Sequence, residues 1–144
     1  MIEAVSTADD RLAPAAKLRL ALRIWVRYVA VRRIVRRVPL PEMVAELEPP
    51  RRKATPRHPP ARLSRAVHRC LRLGGREATC LVRSLVLFRL LREQNDPAEL
   101  VIGLAPRGSD PFAHAWVELN GHDVGPPPGR GRTAPLARFG GRHT

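Results

Sequence analysis

The stretch TCLVRSLVLFRLLREQND, residues 79–96, constrains the fold more than any other part of the chain. Thr79 is a good N-cap, and the helix that opens at Cys80 carries Leu81, Leu85, Val86, Leu87, Phe88, Leu90 and Leu91. These side chains leave few positions for water. A helix apolar around most of its circumference must be buried on several sides, so the remaining elements have to be arranged around it. Asn95-Asp96-Pro97 closes it.

After that helix the hydrophobic period changes from helical to two. AELVIGLAP (98–106) reads as a buried strand. In PFAHAWVEL, Phe112, His114, Trp116 and Glu118 face one way, and Ala113, Ala115, Val117 and Leu119 the other. Asn120-Gly121 is a strong hairpin signal, with HDVG as the returning strand. A two-residue turn there sets Glu118 opposite Asp123 and His114 opposite Pro127. Asp123 then shares the face of His114 but lies roughly 13 Å along the sheet, at ~3.3 Å per residue.

Upstream, residues 11–38 read as one amphipathic helix, with Asp9 or Asp10 as N-cap. Leu18, Leu22, Trp25, Val29 and Val35 recur at near-helical spacing, and Arg19, Arg23 and Arg27 form an i, i+4 row. The expectation is a helix that covers a core and turns its basic face to water; a helix lying on a membrane surface is the sharper alternative. Pro39 and Pro41 end it, and PEMVAELE forms a shorter helix. Residues 61–73 form another amphipathic helix, stopped by Gly74 and Gly75. His68 and Cys70 lie on it without metal-ligand companions, so Cys70 reads as a small buried hydrophobe. His58 receives no role. The domain plan is a helical segment at 1–48, a Pro/Arg-rich linker at 49–60, a catalytic domain at 61–128 and a flexible basic tail at 129–144.

The chain has 144 residues, room for one compact domain, and 44% are hydrophobic, enough for a core. Its formal charge of +13 is almost all arginine, since Lys17 and Lys53 are the only lysines. That bias reflects either genome composition or attraction to an acidic partner. Arginines interrupt the apolar stretch from Leu18 to Val38, so no transmembrane segment is expected. Two cysteines make no disulfide framework, and the acidic, polar MIEAVSTADD is no secretory signal. These features point to a soluble, cytoplasmic protein with no metal and no organic cofactor.

The chemistry lies in the order of elements: a cysteine opening a buried helix, a strand, then a histidine within a second strand. A thiolate at the first turn of a helix is stabilised by unpaired N–H groups and by the macrodipole. The same N–H groups can hold an oxyanion during acyl transfer. A histidine on a neighbouring strand is held rigidly and can shuttle the proton from thiol to leaving amine. Cys80 and His114 are therefore the candidate nucleophile and general base.

TCLVRSLVLFRLL, ELVIGLAP and FAHAWVELNG together resemble the leader peptidase of lasso-peptide biosynthesis. That family is transglutaminase-like and similar to the C-terminal domain of the microcin-processing protease. The resemblance covers roughly residues 60–125, with its specific core in CLxRSL and AHAWVE. It implies an α+β, transglutaminase/papain-like fold, in which a central helix bearing the cysteine packs on a small antiparallel sheet behind an N-terminal helical segment. It also implies removal of the leader from a ribosomal precursor peptide before a separate ATP-dependent cyclase closes the ring. Position by position, Cys80 matches the nucleophile and His114 the base. Trp116 and Glu118 belong to the second motif, and Arg83 stands one turn into the helix; all three are candidates for contacting substrate or partner. In the split version of these pathways a separate leader-recognition protein delivers the substrate, and this chain has no recognition domain of its own.

One departure concerns the group that orients the imidazole. The family usually has a carboxylate twelve residues after the histidine, a position held here by Pro126. Asp123 is the nearest acid and the third candidate catalytic residue. Three competing readings follow: a catalytically silent scaffold of the same complex, acyl transfer or deamidation on glutamine, and a basic nucleic-acid-binding module. Against the last stand the 4% aromatic content and the lack of a recognised nucleic-acid-binding signature, so no specific nucleic acid is expected.

Overall fold

The computed structural model describes residues 13–48, 58–72, 79–104, 113–126 and 135–140. Four helices come first: α1 (Pro14–Val35), α2 (Leu40–Leu47), α3 (Pro60–Arg72) and α4 (Cys80–Glu93). Four strands follow: β1 (Ala98–Leu104), β2 (Ala113–Leu119), β3 (His122–Gly125) and β4 (Pro135–Phe139). The sheet order is β3-β2-β1-β4, antiparallel throughout, which makes this an α+β protein.

Helix α4 is central, as its composition demands. Val82, Leu85, Val86, Leu87, Phe88, Leu90 and Leu91 are all buried. They share one core with Leu20, Ile24, Tyr28 and Val31 of α1, with Met43, Val44 and Leu47 of α2, and with Leu63, Val67 and Leu71 of α3. Ala98, Leu100 and Val117 close that core from the sheet. The N-terminal segment and the segment bearing Cys80 and His114 are thus parts of one core. Asn95, at φ 65°, ends α4. The N–H of Asp96 reaches back to the Leu91 carbonyl and that of Asn95 to the Arg92 carbonyl, the double bond of a Schellman motif. Asn120 and Gly121, at φ 51° and 81°, make the β2–β3 turn with two left-handed residues, the twist that matches a hairpin.

The structure corrects the expected orientation of α1. Its basic row does not all face water: Arg23 and Arg27 turn inward onto the Glu93 carboxylate, Arg27 at 2.7 Å. Arg89 reaches the same carboxylate at 2.8 Å, so three guanidiniums converge on one acid at the end of the central helix. With the core side of α1 filled, Leu18, Leu22, Val26 and Val29 are left on the exposed side. Arg89 also donates to the Leu47 carbonyl at 2.5 Å, satisfying the C-terminal end of α2. Gln94, buried, holds the entry to α3 by accepting from the His58 N–H and donating to the His58 carbonyl at 2.7 Å. No described helix is long and apolar enough to cross a membrane.

A second correction falls on the segment expected to be a flexible tail. Residues Pro135–Phe139 form β4 and pair with β1, Val101 opposite Arg138 and Leu100 opposite Phe139. Gly140 then passes over the core at φ 83°, where a Cβ would come within 2.7 Å of the buried Phe88 ring. Composition concealed this strand, because proline, glycine and arginine dominate its surroundings.

Three outcomes follow for stability. Burial alone would raise the Glu93 carboxyl, but the hydrogen bonds from Arg23 and Arg89 and the charges of Arg27 and Arg23 outweigh it and hold it below the usual carboxylate range. A depressed folded value stabilises above the unfolded value of about 4.3 and is lost as pH falls through the folded one. Glu93→Gln should therefore cost about 1–3 kcal/mol at pH 7, with the gap to wild type closing below about pH 4, in urea titrations. Ile24→Ala should cost about 2–5 kcal/mol, whereas Leu22→Gln on the exposed side should stay within about 0.5 kcal/mol in the same titrations. Gly140→Ala should cost about 1–3 kcal/mol, from backbone strain and overpacking against Phe88, and lower the melting temperature accordingly.

Candidate active site

The first turn of α4 is built by its cap. Thr79 is extended, and its Oγ1 accepts from the Val82 N–H at 3.3 Å while its carbonyl accepts from Arg83. No acidic residue lies in this turn to oppose a thiolate. Cys80 follows the cap directly and is partly exposed; the helix itself supplies no partner for the N–H groups of Cys80 and Leu81. Arg83 is half-buried, and its Nε has no hydrogen-bond partner among the described residues.

Ser84 ties this turn to the sheet. It is fully buried and lies on the same helix face as Cys80, four residues on. Its Oγ donates to the Ala115 carbonyl at 3.0 Å. Ala115 is the neighbour of His114 on β2. Among the described residues β3 pairs with Val117–Leu119, and α4 takes the Ala115 carbonyl through Ser84. The structure thus brings the Cys80 turn and the His114 segment together through one buried bond. Among the described residues no hydrogen bond joins thiol and imidazole. Apo sites often have loose catalytic hydrogen bonds that tighten with substrate.

His114 is half-exposed and sits opposite Gly103 on β1. It shares its sheet face with Trp116 and Glu118, while Val117 points into the core under α4. The His114 and Trp116 rings lie 6.0 Å apart between centroids, inclined by 27°. Trp116 is 2% exposed and donates its indole N–H to Glu118 Oε1 at 3.0 Å. The other carboxylate oxygen of Glu118 accepts from Arg138 on β4, whose guanidinium also lies 3.4 Å from Glu99. Trp116 and Glu118 are therefore joined to each other and to a strand that composition concealed.

Asp123 stands opposite Glu118, as the turn predicts, but a bulge then sets Val117 against Gly125. That irregularity shifts β3 by one residue; the expected pairing of His114 with Pro127 lies outside the described residues. Asp123 Oδ1 accepts from the Gly125 N–H at 2.7 Å, and it makes no bond to His114. The Ser84–Ala115 bond therefore ties the turn bearing Cys80 to the strand residue next to His114, while Asp123 is held in the β2–β3 hairpin.

Sequence reasoning gave no role to two residues of this arrangement. Ser84 carries a weak signal, a hydroxyl four residues after the cysteine inside an apolar helix. Arg138 carries none, because its partner Glu118 is distant in sequence. Cys70 is half-buried against the core, where burial pushes its thiol up, which suits a packing residue. Among the described residues no group of three His, Cys, Asp or Glu could hold a metal ion.

No curated protein and no solved structure shows a match to the chain. A family model for the transglutaminase-like superfamily matches residues 10–138, from the approach to α1 through Arg138 of β4. A match over that length, on an α+β framework whose central helix opens with a cysteine, means that the chain belongs to the transglutaminase-like superfamily.

Proposed function

We propose that this protein is a cysteine peptidase that removes the leader from a ribosomally made lasso-peptide precursor before macrocyclisation. The observation that carries this reading is the buried Ser84–Ala115 bond, which ties the capped turn bearing Cys80 to the strand position beside His114. The superfamily includes cysteine proteases and transglutaminases, and the CLxRSL and AHAWVE motifs support the narrower assignment.

In this reading His114 takes the thiol proton, and the Cys80 sulfur attacks the carbonyl carbon of the scissile amide. The oxyanion is held by the N–H groups of the first turn of α4, where the macrodipole adds to them. His114 then gives its proton to the leaving nitrogen, and the C–N bond breaks. The core peptide departs with a free α-amine, while the leader remains as a thioester on Cys80. Water, deprotonated by His114, hydrolyses that thioester to a carboxylate and restores the thiol. The free amine is what an ATP-dependent cyclase needs to close a ring. A separate leader-recognition protein supplies the substrate in this scheme, and Arg83 meets an acidic group of the leader.

A second reading, a silent scaffold of the same complex, draws on Pro126 at the family's acid position and on Asp123 turned to the Gly125 N–H. Mass spectrometry of the precursor, incubated with this protein and the leader-recognition protein, separates the two. Cys80→Ala should abolish cleavage and His114→Ala should lower it by about a thousandfold or more, both remaining folded by circular dichroism. Asp123→Ala should lower it by less than about tenfold, since its Oδ1 accepts from the Gly125 N–H. Cleavage that survives Cys80→Ala would remove the nucleophile assignment. A silent wild type with both proteins present would favour the scaffold.

A further inference from the structure

If the acid that ordinarily orients the imidazole is replaced by Pro126, some other group has to fix His114. The sheet offers a connected set of side chains on the same face. Trp116 lies beside His114 with its ring inclined by 27°. Its indole N–H is fixed by Glu118 Oε1 at 3.0 Å. Glu118, only 8% exposed, is held in turn by Arg138.

Each link has a physical reason to be rigid. Trp116 is buried, so its ring cannot swing into water, and its only donor is spent on Glu118. A buried carboxylate with a single neutral donor would be costly, and Arg138 supplies the compensating charge. The Arg138 hydrogen bonds to Glu118 and Glu99 raise its own proton affinity, so it stays charged. A ring lying against a fixed indole is restricted in the orientations it can take. Holding the imidazole in one orientation is a task that a carboxylate ordinarily performs.

We propose that Arg138, Glu118 and Trp116 act as positioning residues that set the imidazole of His114, with Arg138 brought from β4 to complete the set. The catalytic consequence rests on the peptidase reading above; the placement of the ring does not. The contact uses a single guanidinium nitrogen on Glu118 Oε2, so a lysine amine can take its place in part.

The test has two readouts. The first is the His114 ring resonances in isotope-labelled full-length protein, assigned by their loss in His114→Gln. Stacking on Trp116 displaces these ring protons. Arg138→Ala, Glu118→Gln and Trp116→Leu should each move them toward the values of an unstacked histidine. Arg138→Lys should restore part of the displacement. Leu136→Ala, at an exposed position of the same strand, should leave them where they are. The second readout is leader cleavage, in which Arg138→Ala should lower kcat by on the order of tenfold to a hundredfold with KM little changed, and Arg138→Lys should recover part of it.

His114 resonances that coincide in wild type and folded Arg138→Ala would overturn the proposal. So would an active enzyme whose kcat is indifferent to Arg138→Ala, or a KM effect alone, which marks a merely structural strand. If wild type cleaves nothing, the peptidase reading fails, and the resonances still decide the placement of the ring.

Discussion

The arrangement of the helices depends on one carboxylate. Glu93 ends the central helix and receives Arg23 and Arg27 from α1 and Arg89 from its own helix. Removing a charge from a largely buried cluster leaves its partners uncompensated, so such a cluster tolerates few alternative arrangements. With Arg23 and Arg27 committed inward, α1 can dock in only one rotation. That rotation places Ile24 and Val31 in the core and leaves Leu18 and Leu22 outside. The same end of α4 fixes α2 through Arg89 and the start of α3 through Gln94. Every described helix before the cysteine is therefore registered on the C-terminal end of the helix that the cysteine begins.

What could be read from residues alone follows from the range of the interactions involved. The bounds of α4, its Thr79 cap, the β1 and β2 strands and the Asn120-Gly121 turn are local, set by side chains within a few positions of one another. They were legible. The orientation of α1 was not, because arginine ordinarily seeks water and the acid that reverses this lies 70 residues away. β4 was hidden for the same reason: its five residues become a strand only by pairing with β1. Within the site, Cys80 and His114 stood out through their motifs. The side chains that hold the two segments in place, Ser84 and Arg138, act across the tertiary structure and left little trace in local pattern.

The hairpin illustrates how one extra residue changes chemistry. The turn sets Glu118 against Asp123, and the bulge at Val117 interrupts the regular ladder beyond it. A bulge re-aims side chains near a site, but here it does not deliver Asp123 to the imidazole. Its carboxylate accepts from the Gly125 N–H. The sheet face next to His114 is instead filled by an aromatic ring, a buried acid and an arginine, a different means of restricting an imidazole from a single hydrogen bond to a carboxylate.

The sheet order β3-β2-β1-β4 also bears on how the protein is made. Of the described strands, the one that borders β1 on its outer side is the last to be synthesised. Until it arrives, β1 presents an open row of backbone donors and acceptors, and Glu118 lacks its cation. During translation the helices and the β1–β2–β3 meander can assemble first, while the edge of the sheet waits for a partner more than thirty residues downstream. An intermediate of this kind is competent to recruit another strand, including one from a second nascent chain. The arrival of β4 thus both completes the surroundings of the histidine and retires the surface most prone to misassembly.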